Sequence, residues 1–168
     1  MTLLISTNRV KSLRNQTEQF RLRNDMKTTN KLITASMIIS ILGLTDAIYL
    51  ALIKFLNKPE MCLEGIGDCW SVNLSPYSSI YGIPVSILGA CAYLVLISIF
   101  VIENKRPDLK DYTVKGIFGI TAIGFLFSLY LTYLELFVIH AICPFCVVSA
   151  ILMTTLFIIS IIRLKEIL

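Results

Sequence analysis

Apolar side chains along this chain are gathered into four long runs, Leu32 to Ile53, Ile83 to Ile102, Gly116 to Ile139 and Ala141 to Ile162, separated by polar stretches. A helix that crosses a bilayer needs about 20 mainly apolar residues, so the pattern predicts an all-α integral membrane protein built as a four-transmembrane-helix bundle. The longest connection, residues 54 to 82, holds a second kind of pattern. From Ser71 to Tyr81, Val72, Leu74, Tyr77, Ile80 and Tyr81 are interleaved with Ser71, Asn73, Ser75, Ser78 and Ser79. This stretch is too short and too polar to span. Pro76 is placed to begin a short helix, which predicts an amphipathic helix over residues 76–81 lying flat across the bundle mouth, before Gly82-Ile83-Pro84 turns the chain into the second span. Trp70, Tyr77 and Tyr81 also fit the aromatic belt of a membrane interface.

With 56% apolar residues and a mean hydropathy of +0.78, an ordinary soluble domain is excluded. The reading is a basic N-terminal segment, residues 1–31, followed by one transmembrane catalytic domain, residues 32–168. The segment lacks a long apolar core, so it is neither a span nor a cleavable signal. Two readings of it stand: a basic amphipathic helix with Val10, Leu13, Phe20 and Met26 on one side, suited to anionic membrane lipids, or a plain solvated tail.

Charge sets the orientation. Arg9, Lys11, Arg14, Arg21, Arg23, Lys27 and Lys31, then Lys105, Arg106, Lys110 and Lys115, then Arg163 and Lys165 fall on one side, against Lys54 and Lys58 on the other. The positive-inside rule places both termini in the cytoplasm of a cell (inner) membrane and residues 54–82 on the outer, periplasmic face. Topology accounts for the net charge of +4, and no nucleic-acid partner is expected.

The candidate chemistry then lies on that outer face. Cys62 and Cys69 flank Gly65 and Gly67, a flexible turn that lets them approach or separate, with a static structural disulfide as the alternative reading. Cys143-Pro144-Phe145-Cys146 opens the fourth span, with Pro144 suited to the first helical position, and the helix start favours a thiolate. Two such pairs suggest a relay by thiol–disulfide exchange, ending on a lipid-soluble acceptor that reaches Cys146. Asp46 and Glu135 are ionisable groups within spans and are read as intrabundle hydrogen-bonding or proton-relaying residues. His140 is read as interfacial or as a thiolate partner. Cys91 is a small apolar residue within its span, and Gly116, Gly119 and Gly124 permit close helix approach. A structural Cys₄ zinc site is the competing reading. The Cys62 to Cys69 gap exceeds zinc-knuckle spacing, so no metal is expected.

In this order of motifs the chain resembles the vitamin K epoxide reductase family: the loop pair Cys62 and Cys69, Ser75 six residues on, Gly82-Ile83-Pro84, and the late Cys143-Pro144-Phe145-Cys146. The resemblance covers residues from about 32 to 162. It implies a four-helix bundle around a quinone, menaquinone or ubiquinone, as electron acceptor, with the short helix after Cys69 covering the pocket. It further implies that Cys62 meets a thioredoxin-like partner protein, Cys69 attacks Cys143, and Cys146 stands beside the quinone. Ser75, Tyr77, Tyr81 and Phe145 are the expected substrate-binding residues, with a local turn hydrogen bond as the alternative role for Ser75. Many bacterial relatives continue into a fused thioredoxin-like domain, and the chain's end at Leu168 leads to the expectation of a separate partner. Animal relatives carry a tyrosine where this chain has Ala150, and their pocket-wall asparagine has no assigned counterpart. Quinone reduction supporting disulfide formation is therefore expected ahead of epoxide reduction of the animal type.

Overall fold

The computed structural model of the protein describes residues 2–56, 69–80 and 82–167. Its helices are α1 (Thr2–Leu56), α2 (Cys69–Leu74), α3 (Val85–Lys105), α4 (Lys110–Leu134) and α5 (Pro144–Ile167). The chain divides into two units, Met1–Ala35 and Ser36–Leu168. The described backbone of the first is helical, as the sequence pattern allowed. The second contains the spans and the cysteine site.

Four helical stretches, Asn30–Leu56, Val85–Lys105, Lys110–Ile139 and Pro144–Ile167, are long and apolar enough to cross a membrane. They match the four predicted runs to within a few residues at most ends. Their outward faces are as apolar as their inward ones. Ile123, Leu126 and Ile151 are exposed, an arrangement that costs free energy in water and none in lipid. The inner seam carries small and hydroxylated residues: Ser36, Ser40, Thr121 and Ser160 are buried, and Thr121 Oγ1 lies 3.0 Å from Ser160 Oγ, joining α4 to α5. Of the three glycines expected to allow close approach, Gly124 does so, packing on Met153, whereas nothing meets Gly116 or Gly119. The closer approach is at Gly43, where an added Cβ would overlap the Tyr93 ring.

At the end of the bundle away from the cysteines, Arg163 of α5 forms an ion pair with Glu103 of α3, and its guanidinium lies 6.0 Å from the Phe100 ring centroid. By its place in the charge pattern Arg163 belongs with the topology-setting surface cations. It is instead 2% exposed, because a cation at this depth is tolerated only against a partner.

The connection between α1 and α3 differs from the predicted helix over 76–81. The helix here is α2, which starts at Cys69. A single 3₁₀ turn follows at Pro76–Ser78, and then two short antiparallel strands, β1 (Ser79–Ile80) and β2 (Ile83–Pro84), pair with Ser79 opposite Pro84 and Ile80 opposite Ile83. Pro76 starts a turn as expected, but Gly82 at φ +80° closes a hairpin that a helix through residue 81 would forbid.

This connection is fastened to the C-terminal end of α1. Lys54 Nζ donates to the Ser78 carbonyl at 3.2 Å, to Ser78 Oγ at 2.6 Å and to Ser79 Oγ at 2.8 Å. Asn73 Nδ2 donates to the Leu50 carbonyl at 3.3 Å. These bonds hold α2 and the hairpin across the bundle.

Candidate active site

The end of α4 creates the site. After Leu134 the helix widens into a π turn over Glu135–Ile139, and His140 then adopts the left-handed conformation at φ 55°. Its amide and that of Ala141 both donate to the Glu135 carbonyl, the latter at 3.2 Å. Helices commonly close with one left-handed residue, and the wide turn carries the Glu135 side chain inward. His140 itself is exposed. Its structural part is to end α4, and the groups bonded to the described sulfurs are Cys69, Cys146 and Glu135.

Cys143 is the N-cap of α5. Its carbonyl accepts from Val147 N–H at 3.1 Å, Pro144 takes the first helical position where a missing N–H is harmless, and Cys146 N–H donates to Cys143 Sγ at 3.4 Å. This is the bond a capping oxygen would accept at a helix start, here taken by sulfur. Cys143 N–H in turn donates to Glu135 Oε2 at 3.4 Å. The capping bond at the helix start thus falls on the Cys143 sulfur.

Cys69, the first residue of α2, completes the group. The side chains of both Cys146 and Cys69 hydrogen-bond the Cys143 sulfur, and in that order they hold its thiol well below the ordinary thiol range. A sulfur that receives donors is a better anion. The Glu135 side chain hydrogen-bonds the Cys146 side chain. Cys69 and Cys143 are 2% and 1% exposed, packed with Leu50, Ile53 and Val72, so a protein in solution has no direct access to Cys143.

A cavity of about 420 Å³ adjoins the sulfurs, with Cys69, Cys143 and Cys146 in its wall. That volume is within the roughly 300–1,000 Å³ of small-molecule sites. Ser75 and Tyr77 line it, and Ser75 Oγ donates to the Val72 carbonyl at 2.8 Å, the local turn bond that was the alternative role. Phe145 does not line it. One residue before Cys146 on α5, Phe145 faces away to pack on Tyr49 with ring centroids 4.9 Å apart, since successive helical positions point about 100° apart. Cys62 and Tyr81 lie outside the described residues.

Other polar residues also line the cavity, among them Tyr93 and Ser149, which did not stand out in the sequence. Tyr93 Oη lies 3.3 Å from the Ser149 carbonyl and 3.4 Å from Ser149 Oγ, and the one signal pointing to it is a lone tyrosine inside an aliphatic run. Ala150 is also in the wall. Asp46 is half-buried, close enough to Cys143 for their charges to interact. Among the described residues, no three His, Cys, Asp or Glu side chains are grouped to hold a metal ion.

This chain is similar to known proteins. The family model described as "Vitamin K epoxide reductase family" matches residues 34–161. The chain is also similar to the thiol-disulfide oxidoreductase LTO1 of Arabidopsis thaliana, 31% identical over 129 residues, which cover 73% of this chain and 34% of that protein. The match therefore spans about a third of that relative's length.

Proposed function

The chain belongs to the vitamin K epoxide reductase family, and from that membership we propose that it is a membrane thiol oxidoreductase carrying electrons from a thioredoxin-like dithiol protein to a quinone. Its product is the oxidised partner, and so its role is to sustain disulfide formation. The Lys and Arg distribution supports an active site on the outer face of the membrane with both termini in the cytoplasm.

The observation that carries this reading is that the Cys143 sulfur is shared. Cys69 and Cys146 both hydrogen-bond it, so a bond from Cys143 to either one needs only a short shift of sulfur. A partner thiolate opens the Cys62–Cys69 disulfide at Cys62 and frees Cys69. Cys69 attacks Cys143 of the Cys143–Cys146 disulfide, and Cys146 leaves with the electron pair. The partner's second thiol then closes the partner's own disulfide and releases Cys62. Cys62 attacks Cys69, which restores the Cys62–Cys69 bond and leaves Cys143 and Cys146 reduced.

The cavity wall fits a quinone. It is mostly apolar, with Leu88, Ile123 and Phe127 for a ring and tail and Tyr77 and Ser128 offering hydroxyls. A bound quinone supplies acceptance of two electrons and two protons. Cys146 borders that space while Cys143 is its resolving sulfur.

The test is turnover in detergent with a reduced thioredoxin-like protein and a short-tailed quinone. Cys146→Ala is expected to abolish quinol formation. Sustained quinol formation by that variant would sink the assignment.

A further inference from the structure

We propose that Glu135 is the catalytic proton acceptor of the Cys143–Cys146 centre, taking the thiol proton of Cys146 as that sulfur is oxidised and handing it to the reduced quinone. The inference rests on the quinone-reducing reading above and assigns the proton path that this reading leaves open.

The cavity wall contains a single carboxylate, Glu135, and no Lys, Arg or His among its described residues. That carboxylate is 5% exposed, and it touches both halves of the redox pair, bonding the Cys146 side chain and accepting Cys143 N–H at 3.4 Å. An ionisable side chain at membrane depth is costly and is usually functional. A hydrogen bond to one amide does not call for a carboxylate, since any backbone carbonyl provides as much. Contact with the thiol whose proton must depart does call for one. The π turn that begins at Glu135 brings the group there, and such turns are frequent at functional sites. Among the described residues, the other titratable groups facing this cluster are Cys69 from α2, Tyr77 from the turn after it, Tyr93 from α3, Tyr49 from α1 and, beyond Cys143, Asp46 from α1.

Before the transfer Cys143 is a thiolate and Cys146 a thiol. The S–H bond of Cys146 breaks, its proton goes to the Glu135 carboxylate, and the electron pair passes to the quinone. Cys143 sulfur closes the S–S bond. The quinol receives one proton from Glu135 and one from water, which leaves Glu135 a carboxylate again. A carboxyl group positioned in this way contributes typically 10²–10⁴-fold to rate.

The experiment is single-turnover oxidation of the prereduced, full chain in detergent by a short-tailed ubiquinone, followed as quinol absorbance and as loss of maleimide-reactive thiols, from pH 5 to 9. Wild type is expected to slow as pH falls, because protonated Glu135 accepts nothing. Glu135→Gln is expected to be slower by about 100-fold or more and to lose that acid limb, while still binding the quinone and still accepting electrons from a small dithiol. Glu135→Asp, with a carboxyl on a shorter arm, is expected to keep the limb at an intermediate rate. A Gln variant with wild-type rate and pH profile would overturn the proposal, and so would an Asp variant as slow and pH-independent as Gln. Wild type that fails to reduce the quinone would instead overturn the underlying reading together with it, so the two failures are told apart.

Discussion

The amide of Cys146 points at the sulfur of Cys143 from 3.4 Å, which makes Cys143 the capping group of its own helix. In the reduced protein this sulfur, hydrogen-bonded by the Cys146 and Cys69 side chains, is held well below the ordinary thiol range. Its pKa is depressed on folding, so the stabilisation of the ionised form is complete above the unfolded thiol value and is lost only as pH falls through the folded one. Reduced wild type should therefore retain thiolate absorbance near 240 nm at pH 6, and Cys143→Ala should lose it. Thiolate absorbance that arises only above pH 8 in wild type would contradict the assignment.

Cys69 is buried beside Cys143 and hydrogen-bonds its sulfur. Cys69→Ser should lower turnover with a thioredoxin-like protein more than about 100-fold, because among the described residues Cys69 is the thiol outside the Cys143–Cys146 pair that bonds Cys143. Small membrane-permeant dithiols should still reduce Cys143–Cys146 in that variant. Equal losses with both donors, measured as quinol formation, would refute the order of the relay.

Lys54 ties the hairpin to α1 through Ser78 and Ser79. Replacing it with Met removes these bonds at a half-buried position, where each charge-assisted bond contributes about 1 kcal/mol after solvent screening. Faster amide exchange across residues 75–80, with the cores of α4 and α5 unchanged, is the expected signature in hydrogen-exchange mass spectrometry.

The Tyr93 ring lies directly on Gly43. Gly43→Ala should force that ring into the cavity and destabilise the bundle by about 1–3 kcal/mol. Tyr93→Ala in the same chain should recover part of the loss. Thermal unfolding in detergent of the two single variants and the double variant measures the coupling, and simple additivity would argue against the contact.

Glu103 and Arg163 are buried as a pair. Arg163→Met alone leaves a buried carboxylate without its cation and should cost about 3–5 kcal/mol. Glu103→Leu combined with Arg163→Met should restore most of that stability, again by thermal unfolding. A double variant no better than the single one would show that the pair has a role beyond mutual neutralisation.

The sequence by itself determined the four spans and brought the cysteine motifs to one side of them. Hydropathy sums over neighbours in the chain, and a helix in lipid satisfies its own backbone without help from other segments, so Leu32 to Ile53 or Ile83 to Ile102 is legible one run at a time. Pro144 at a helix start was legible for the same local reason. Tertiary structure decided which faces meet. Arg163 is a surface charge until Glu103 is found across from it, Gly43 is featureless until Tyr93 lies on it, and Phe145 reads as a pocket residue until Tyr49 draws it away. The same holds at the centre of the site. Cys143 becomes the shared sulfur only when α2 brings Cys69 against it, and Glu135 reaches the sulfurs only because α4 ends in a π turn and a left-handed residue. Contacts between residues far apart in the chain depend on helix rotation and packing, which the pattern along one helix does not encode.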